Sequence, residues 1–385
     1  MAAGEPVYLD HNATTPVDPE VVAALTPYLS VHFGNPSSAH EFGRVARQAV
    51  DRAREQTAAL IGAVPDRLVF TGSGSESNAL AIHGAALGPH QSYRRTIVTQ
   101  ATEHPSVIET CQILWRRHRI RVVVLPVDES GRVDMVRARA AIDERTLLVS
   151  VQLANGETGT MQPVDELARI AHEHGALMHT DACQAVGKVP VDATALGVDL
   201  LSLAGHKMYA PKGVAALYHR PGLNVEPLVP GGGQEGGMRC GTENVPYLVG
   251  LGTASEIAAR RLPADGERLR ALRNSLFEDL RRGLGTRVRL NGNGNHRLPN
   301  TVNVSIEGCD GRALLAAMPD LAASTGSACH AGATDGSPVL LAMGLSRTRA
   351  RAALRLSLGR GTSAADVHRA ADMIVQSAGA LAPVT

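Results

Sequence analysis

The 385-residue chain is 44% hydrophobic and 19% charged, with a formal net charge of +1. That composition is globular, long enough for a large core and, at roughly 100–200 residues per domain, for two or three domains. The near-neutral charge argues against a dedicated nucleic-acid or polyanion binder. No stretch approaches the roughly 18 continuous apolar residues of a membrane span, and the N-terminus MAAGEPVYLDHN lacks the basic and apolar regions of a signal peptide. A small-molecule ligand and a cytoplasmic location are expected.

In chain order, RLVF (67–70), TIVT (96–99), RVVVLPV (121–127), TLLVSVQL (146–153), ALMHTD (176–181), DLLSLA (199–204) and VAALYH (214–219) read as buried strands. Helical patterns alternate with them. In PVDELARIAHEHG, for example, Val164, Leu167, Ala168 and Ala171 share one face and Pro163 suits a first turn. Such alternation predicts an α/β fold with an open, mostly parallel sheet covered on both faces. A glycine-rich stretch, PGGGQEGGMRCGTEN (230–244), ends this region. Two helical patterns follow, at about 246–262 and 265–283, and then RVRLNG, TVNVSIEG and ALRLSLG mixed with helices at about 311–318 and 364–380, a smaller α+β unit. Ligands are expected at the carboxyl ends of the large-unit strands.

The chemistry-bearing residues fall at those ends. TGSGSESNALAIHGA follows the first strand and opens a helix, whose free N–H groups and dipole favour a phosphate; Gly74 and Ser75 belong to it, although Gly72 and Gly74 would also suit a plain tight turn. It is neither GxGxxG nor GxxxxGK[ST], which excludes dinucleotide and P-loop readings. Asp181, ending a strand in HTDACQAVG, is either a helix cap or the partner of a protonated ring nitrogen, with Gln184 in reach of a ring substituent. His104 in TEHPS is either a turn cap or a group that stacks on a flat cofactor and shuttles protons.

Lysine is scarce. Of 38 basic residues only Lys188, Lys207 and Lys212 are lysines, so each is a candidate for work that arginine cannot do. His206 and Lys207 end a buried run in LAGHKMYAPKG, where a lowered amine pKa would suit imine chemistry; a surface loop is the plainer alternative. The five cysteines, Cys111, Cys183, Cys240, Cys309 and Cys329, are odd in number, scattered and without CxxC, which disfavours a disulfide framework and a zinc site. Cys329 sits among small polar residues in ASTGSACHAGATDGSPVL, as an accessible nucleophile would, whereas structural roles suit Cys111 and Cys183 better. Arg355, between Leu354 and Leu356, either faces solvent or grips a carboxylate in a cleft.

Together these segments resemble the cysteine desulfurases, enzymes of aminotransferase class V that use pyridoxal 5'-phosphate and have the type I fold. The likeness runs nearly end to end, through YLDHNATTPVDP (8–19), GNPSSAH (34–40), FTGSGSESNALAI (70–82), TEHPS (102–106), NGETG (155–159), HTDACQAVGK (179–188), GHKMYAPKG (205–213), GGGQEGGMRCGTEN (231–244), RLPNTVN (297–303), GSACHAG (326–332) and LRLSLGR (354–360). The resemblance implies that Lys207 is the Schiff-base lysine, Asp181 the partner of the pyridine nitrogen, Gln184 the contact to the phenolic oxygen and His104 the stacking acid–base. It further implies phosphate contacts from Gly74, Ser75, His206 and, across a homodimer, Thr242, substrate-carboxylate contacts from Asn155 and Arg355, and a persulfide on Cys329. Two residues depart from the pattern: Ala204 stands where many members have a phosphate-binding serine, and Gly236 where arginine is common.

The expected organisation is an arm (1–15) packing with the small domain, a large cofactor-binding domain (16–260) and a small C-terminal domain (261–385) carrying the cysteine loop. The expected activity is conversion of L-cysteine to L-alanine, with sulfur delivered to an acceptor protein. Selenocysteine lyase, acting on L-selenocysteine, and a non-catalytic sulfur-relay scaffold are the alternatives; intact Lys207, Asp181, His104 and Cys329 argue against the scaffold.

Overall fold

The computed structural model describes residues 5–88, 93–326 and 336–381. The chain opens with strand β1 (Val7–Tyr8) and helices α1 (Pro19–Leu25), α2 (Pro27–Ser30) and α3 (Glu41–Leu60). Then come β2 (Leu68–Thr71), α4 (Gly74–Leu87), β3 (Thr96–Gln100), α5 (Pro105–His118), β4 (Arg121–Leu125), α6 (Met135–Ala141), β5 (Thr146–Ser150), α7 (Val164–Glu173), β6 (Leu177–Asp181), β7 (Leu200–Ala204) and β8 (Ala215–His219). The seven predicted strands all form. RVVVLPV stops at Leu125 because Pro126 has no N–H to give the ladder.

These strands make one sheet in the order β2-β8-β7-β6-β5-β3-β4, parallel except for β8, which runs antiparallel to both neighbours. Alternate residues feed opposite faces. Val69, Ile97 and Leu200 enter one apolar cluster, and Phe70, Val98 and Leu201 enter the other. The result is the expected α/β layering, with β2, β3, β5, β6 and β7 all directing their carboxyl ends to one edge.

The remainder comprises α8 (Val245–Leu284), β9 (Val288–Asn291), β10 (Thr301–Ile306), α9 (Gly311–Ala316), β11 (Leu321–Ala322), α10 (Pro338–Ala342), α11 (Arg347–Arg351), β12 (Ala353–Ser357) and α12 (Ala364–Ala380). Strands β12-β10-β9 form an antiparallel sheet, and its apolar side joins Leu269, Leu276 and Leu280 of α8 and Ile374 of α12 in a further core. The two helices expected at 246–262 and 265–283 are one helix of 40 residues, continuous through Pro263. A proline inside a helix forfeits one backbone hydrogen bond. Burial of Leu251 and Ile257 before it and of Leu269 and Leu276 after it supplies the packing that offsets the loss.

The N-terminal arm joins the C-terminal part of the chain: β1 pairs in parallel with β11 as a two-stranded sheet, and Asp10 bridges to Ser357 at the end of β12. Among the described residues no helix is long and apolar enough to cross a membrane.

Candidate active site

A cleft of about 300 Å³ opens at the carboxyl edge of the seven-stranded sheet, and Arg355 closes it from β12. Gly74, Ser75, His104, Asn155, Asp181, Gln184, His206, Lys207 and Arg355 all line it. Thr242 lies on an exposed loop and is not among the lining residues of its own subunit. Cys329 lies outside the described residues. On either side of it, Ser324 pairs with Arg355 and Val339 lines the cleft.

Each side chain is delivered by its strand. After β2, Ser73 caps α4 by accepting the Glu76 N–H at 3.1 Å, and the first turn, Gly74 and Ser75, is left at the cleft. The glycine is required by space: a Cβ at position 74 would stand 2.6 Å from Cys183 Sγ and 3.2 Å from Ala204 Cβ. After β3, His104 is the N-cap of α5, its Nδ1 accepting the Ser106 N–H at 3.1 Å. His104 is thus the turn cap that the sequence offers as one reading, and it also lines the cleft.

Asp181, the last residue of β6, is buried at 8% exposure. One carboxylate oxygen accepts the Cys183 N–H at 2.9 Å and the other accepts Asn78 Nδ2 at 2.7 Å. Hydrogen bonds also hold the neighbouring amides. Gln184 Nε2 donates to the Asn12 carbonyl at 3.0 Å, Asn155 Nδ2 donates to Thr102 O at 3.0 Å, and Asn155 Oδ1 accepts from the N–H groups of Glu157 and Thr158.

Lys207 follows β7 in a turn of 3₁₀ helix and donates from Nζ to the carbonyls of Asn12 and of Ala13. Lys212 is exposed, and Lys188 stands behind the cleft rather than in its lining. Burial, with Lys207, Lys212 and Lys188 nearby, lowers His206 to about 4, so its imidazole is neutral at pH 7. Arg355 is 2% exposed; it donates to Asp10 Oδ1 at 2.7 Å and to Gly156 O, while its Nε hydrogen is buried with no partner among the described residues. An orphaned guanidinium N–H in a cleft wall is a ready site for a carboxylate.

Three lining residues receive no role from the sequence. Asn12 on the arm, Asn78 on α4 and Glu103 beside His104 line the cleft, and Lys188 backs it. Glu103 accepts the Gln152 N–H at 2.8 Å, and burial raises its carboxyl to about 8. Cys183, assigned a structural turn from the sequence, also lines the cleft. Burial and Asp181 raise its thiol well above the ordinary range, as burial does Cys111 to about 12, and neither is an activated nucleophile.

The neutral His206, the buried carboxyl group of Asp181, the helix start at Gly74 and the cleft-lining amine form a set that suits a phosphorylated, protonated pyridine aldehyde. The aminotransferase class-V family matches residues 7–370, and the chain belongs to that family. The cysteine desulfurase of Gluconacetobacter diazotrophicus is 46% identical over 371 residues, covering 96% of this chain and 92% of its own. Among solved structures, a NifS-like protein superposes with TM-score 0.91 at 35% identity, over 98% of this chain and 100% of its own. One described as SspA in complex with cysteine does so with TM-score 0.81 at 35% identity, over 91% and 98%. By this likeness along nearly its whole length, the chain is an enzyme of the cysteine desulfurase kind.

Proposed function

We propose that the enzyme binds pyridoxal phosphate at Lys207 and converts L-cysteine to L-alanine, passing the sulfur through a persulfide on Cys329 to an acceptor protein. The observation that carries this is the pairing, in one cleft, of the only lining lysine with a buried carboxylate held on both oxygens. The first turn of α4 with Gly74, Ser75 and His206 would hold the phosphate, Asp181 the ring nitrogen, Gln184 the phenolic oxygen and His104 the ring face. The cofactor, when bound, supplies an electron sink for bond breaking at the substrate's α carbon.

Arg355, through its unpartnered Nε, and Asn155, through its second amide hydrogen, bind the substrate carboxylate and turn the α carbon toward Lys207. The Lys207 amine then takes the α proton. The Cys329 thiolate attacks the substrate's sulfur, so that an S–S bond forms as the C–S bond breaks; the electron pair left on carbon is protonated and alanine results. The bound cysteine of the SspA structure supports the choice of substrate. The same reading makes the protein a cytoplasmic homodimer in which Thr242 completes the partner's phosphate site. It divides the chain into the arm 1–15, a large unit 16–260 and a small unit 261–385.

Two substitutions test it. Borohydride reduction followed by peptide mapping should place the cofactor label on Lys207 and find none in Lys207→Ala; a label on Lys188 or Lys212 overturns the assignment. Cys329→Ser should bind the cofactor and cysteine but form almost no alanine from cysteine, because a hydroxyl attacks sulfur far more weakly than a thiolate. With selenocysteine it should keep much of whatever turnover the wild type has, since a selenol leaves without being attacked. Wild-type sulfide release by Cys329→Ser would remove the nucleophile from the mechanism.

A further inference from the structure

Lys188 takes no part in the chemistry proposed above, yet its amine ends among groups that do. Nζ donates to Gln184 Oε1 at 2.7 Å and to Asn12 Oδ1 at 3.0 Å. Burial, with Lys207 and Arg355 close by, pushes this amine well below the usual lysine range.

An amide side chain has a donor end and an acceptor end, and which end faces a ligand decides what it can recognise. At Gln184 two contacts make that choice together. Lys188 holds Oε1 from behind, and the Asn12 carbonyl, an acceptor only, takes the hydrogen of Nε2 at 3.0 Å. A flipped amide would set Oε1 against a carbonyl oxygen and Nε2 against a donor. Asn12 is fixed in the same manner: its Oδ1 accepts from Lys188 and from Asn300 Nδ2 at 3.1 Å, while its Nδ2 donates to Thr301 Oγ1 at 2.8 Å and to Gly156 O at 3.1 Å. Space is kept for this arrangement as well, since a Cβ at Gly156 would stand 2.9 Å from Gln184 Nε2.

We infer that Lys188 is a positioning residue that locks the Gln184 amide with its N–H end toward the cleft, so that the phenolic oxygen of the cofactor meets a hydrogen-bond donor. The inference rests on the proposed binding of pyridoxal phosphate at Lys207, and it assigns Lys188 an action through Gln184 rather than on the cofactor itself.

The test is a double-mutant cycle on the apoprotein, titrated with pyridoxal phosphate and followed by its visible absorption band. Lys188→Met and Gln184→Ala should each weaken binding about tenfold, the worth of one good hydrogen bond, and should displace the band alike. The double variant should bind no more than about twofold more weakly than Gln184→Ala alone, because without the Gln184 amide Lys188 keeps only its bond to Asn12, through which the inference routes no contact to the phenolic oxygen. Wild-type affinity and spectrum in Lys188→Met, or losses that multiply in the double variant, overturn the inference. Should Lys188→Met fail to fold by circular dichroism, Lys188→Gln takes its place in the same cycle with the same criterion. Failure of the underlying proposal shows separately, in wild-type protein that takes up no cofactor or is labelled at another lysine.

Discussion

Glu103 places a carboxyl group in the wall of the cleft where burial holds it to about 8, against 4.5 for an unburied glutamate. Between those values the folded protein keeps a proton that the unfolded chain releases, so the stability this residue contributes is full at low pH and is lost as pH rises toward 8. Buried His11 and His179, both lowered to about 4, act in the opposite sense, but only between about 4 and 6.5. From pH 6.5 to 8 the carboxyl acts without them. Glu103→Gln preserves the shape and the oxygen that accepts the Gln152 N–H, and it removes the ionisation. Melting temperatures of the apoprotein should therefore fall more steeply over pH 6.5–8 in the wild type than in Glu103→Gln; parallel profiles would show that the carboxyl is not held protonated.

At the scale of elements, the start of α4 is built around a missing side chain. Gly74→Ala would press a Cβ to 2.6 Å from Cys183 Sγ, an overpacking that costs about 1–3 kcal/mol and displaces the helix start from the cleft. Thermal melting should register the loss. Cys183→Ala in the same chain should restore much of it, since the offending sulfur is gone; an unrepaired double variant would locate the strain elsewhere. What could be read in the sequence divides along the same line between local and distant causes. The seven strands were legible because each is a short apolar run, and Asp181, His104 and Lys207 were legible because they follow such runs. Strands β1 and β11, two residues each, carry no periodicity and exist only as each other's partner. Asn12 and Asn78 owe their contacts to partners far along the chain, as Asn12 does to Lys188 at a separation of 176 residues, so the segments that contain them do not show what they touch. Continuity of α8 was hidden because Pro263 is a stop signal locally and is overridden by packing on either side.

For the whole molecule, the exposed Thr242 and the Gly-rich segment before it make a surface that the proposed homodimer would cover. Dilution below the dimer's dissociation constant should therefore release pyridoxal phosphate along with the subunits. Sedimentation and cofactor absorbance, measured on the same samples, should fall together, and a fully active monomer would refute a shared site.

The arm that carries Asn12 also gives the molecule an order of assembly. Residues 7–12 leave the ribosome before all of these partners: β1 waits for Leu321, Asn12 for Asn300 and Ser357, and the Lys207 amine is held by the carbonyl of Asn12. The seven-stranded sheet ends at residue 219 and its apolar faces can close early, but the wall behind the lysine cannot be finished until Ser357 has emerged. A nascent chain can therefore bring the strands of its large sheet together before it can close the wall behind Lys207.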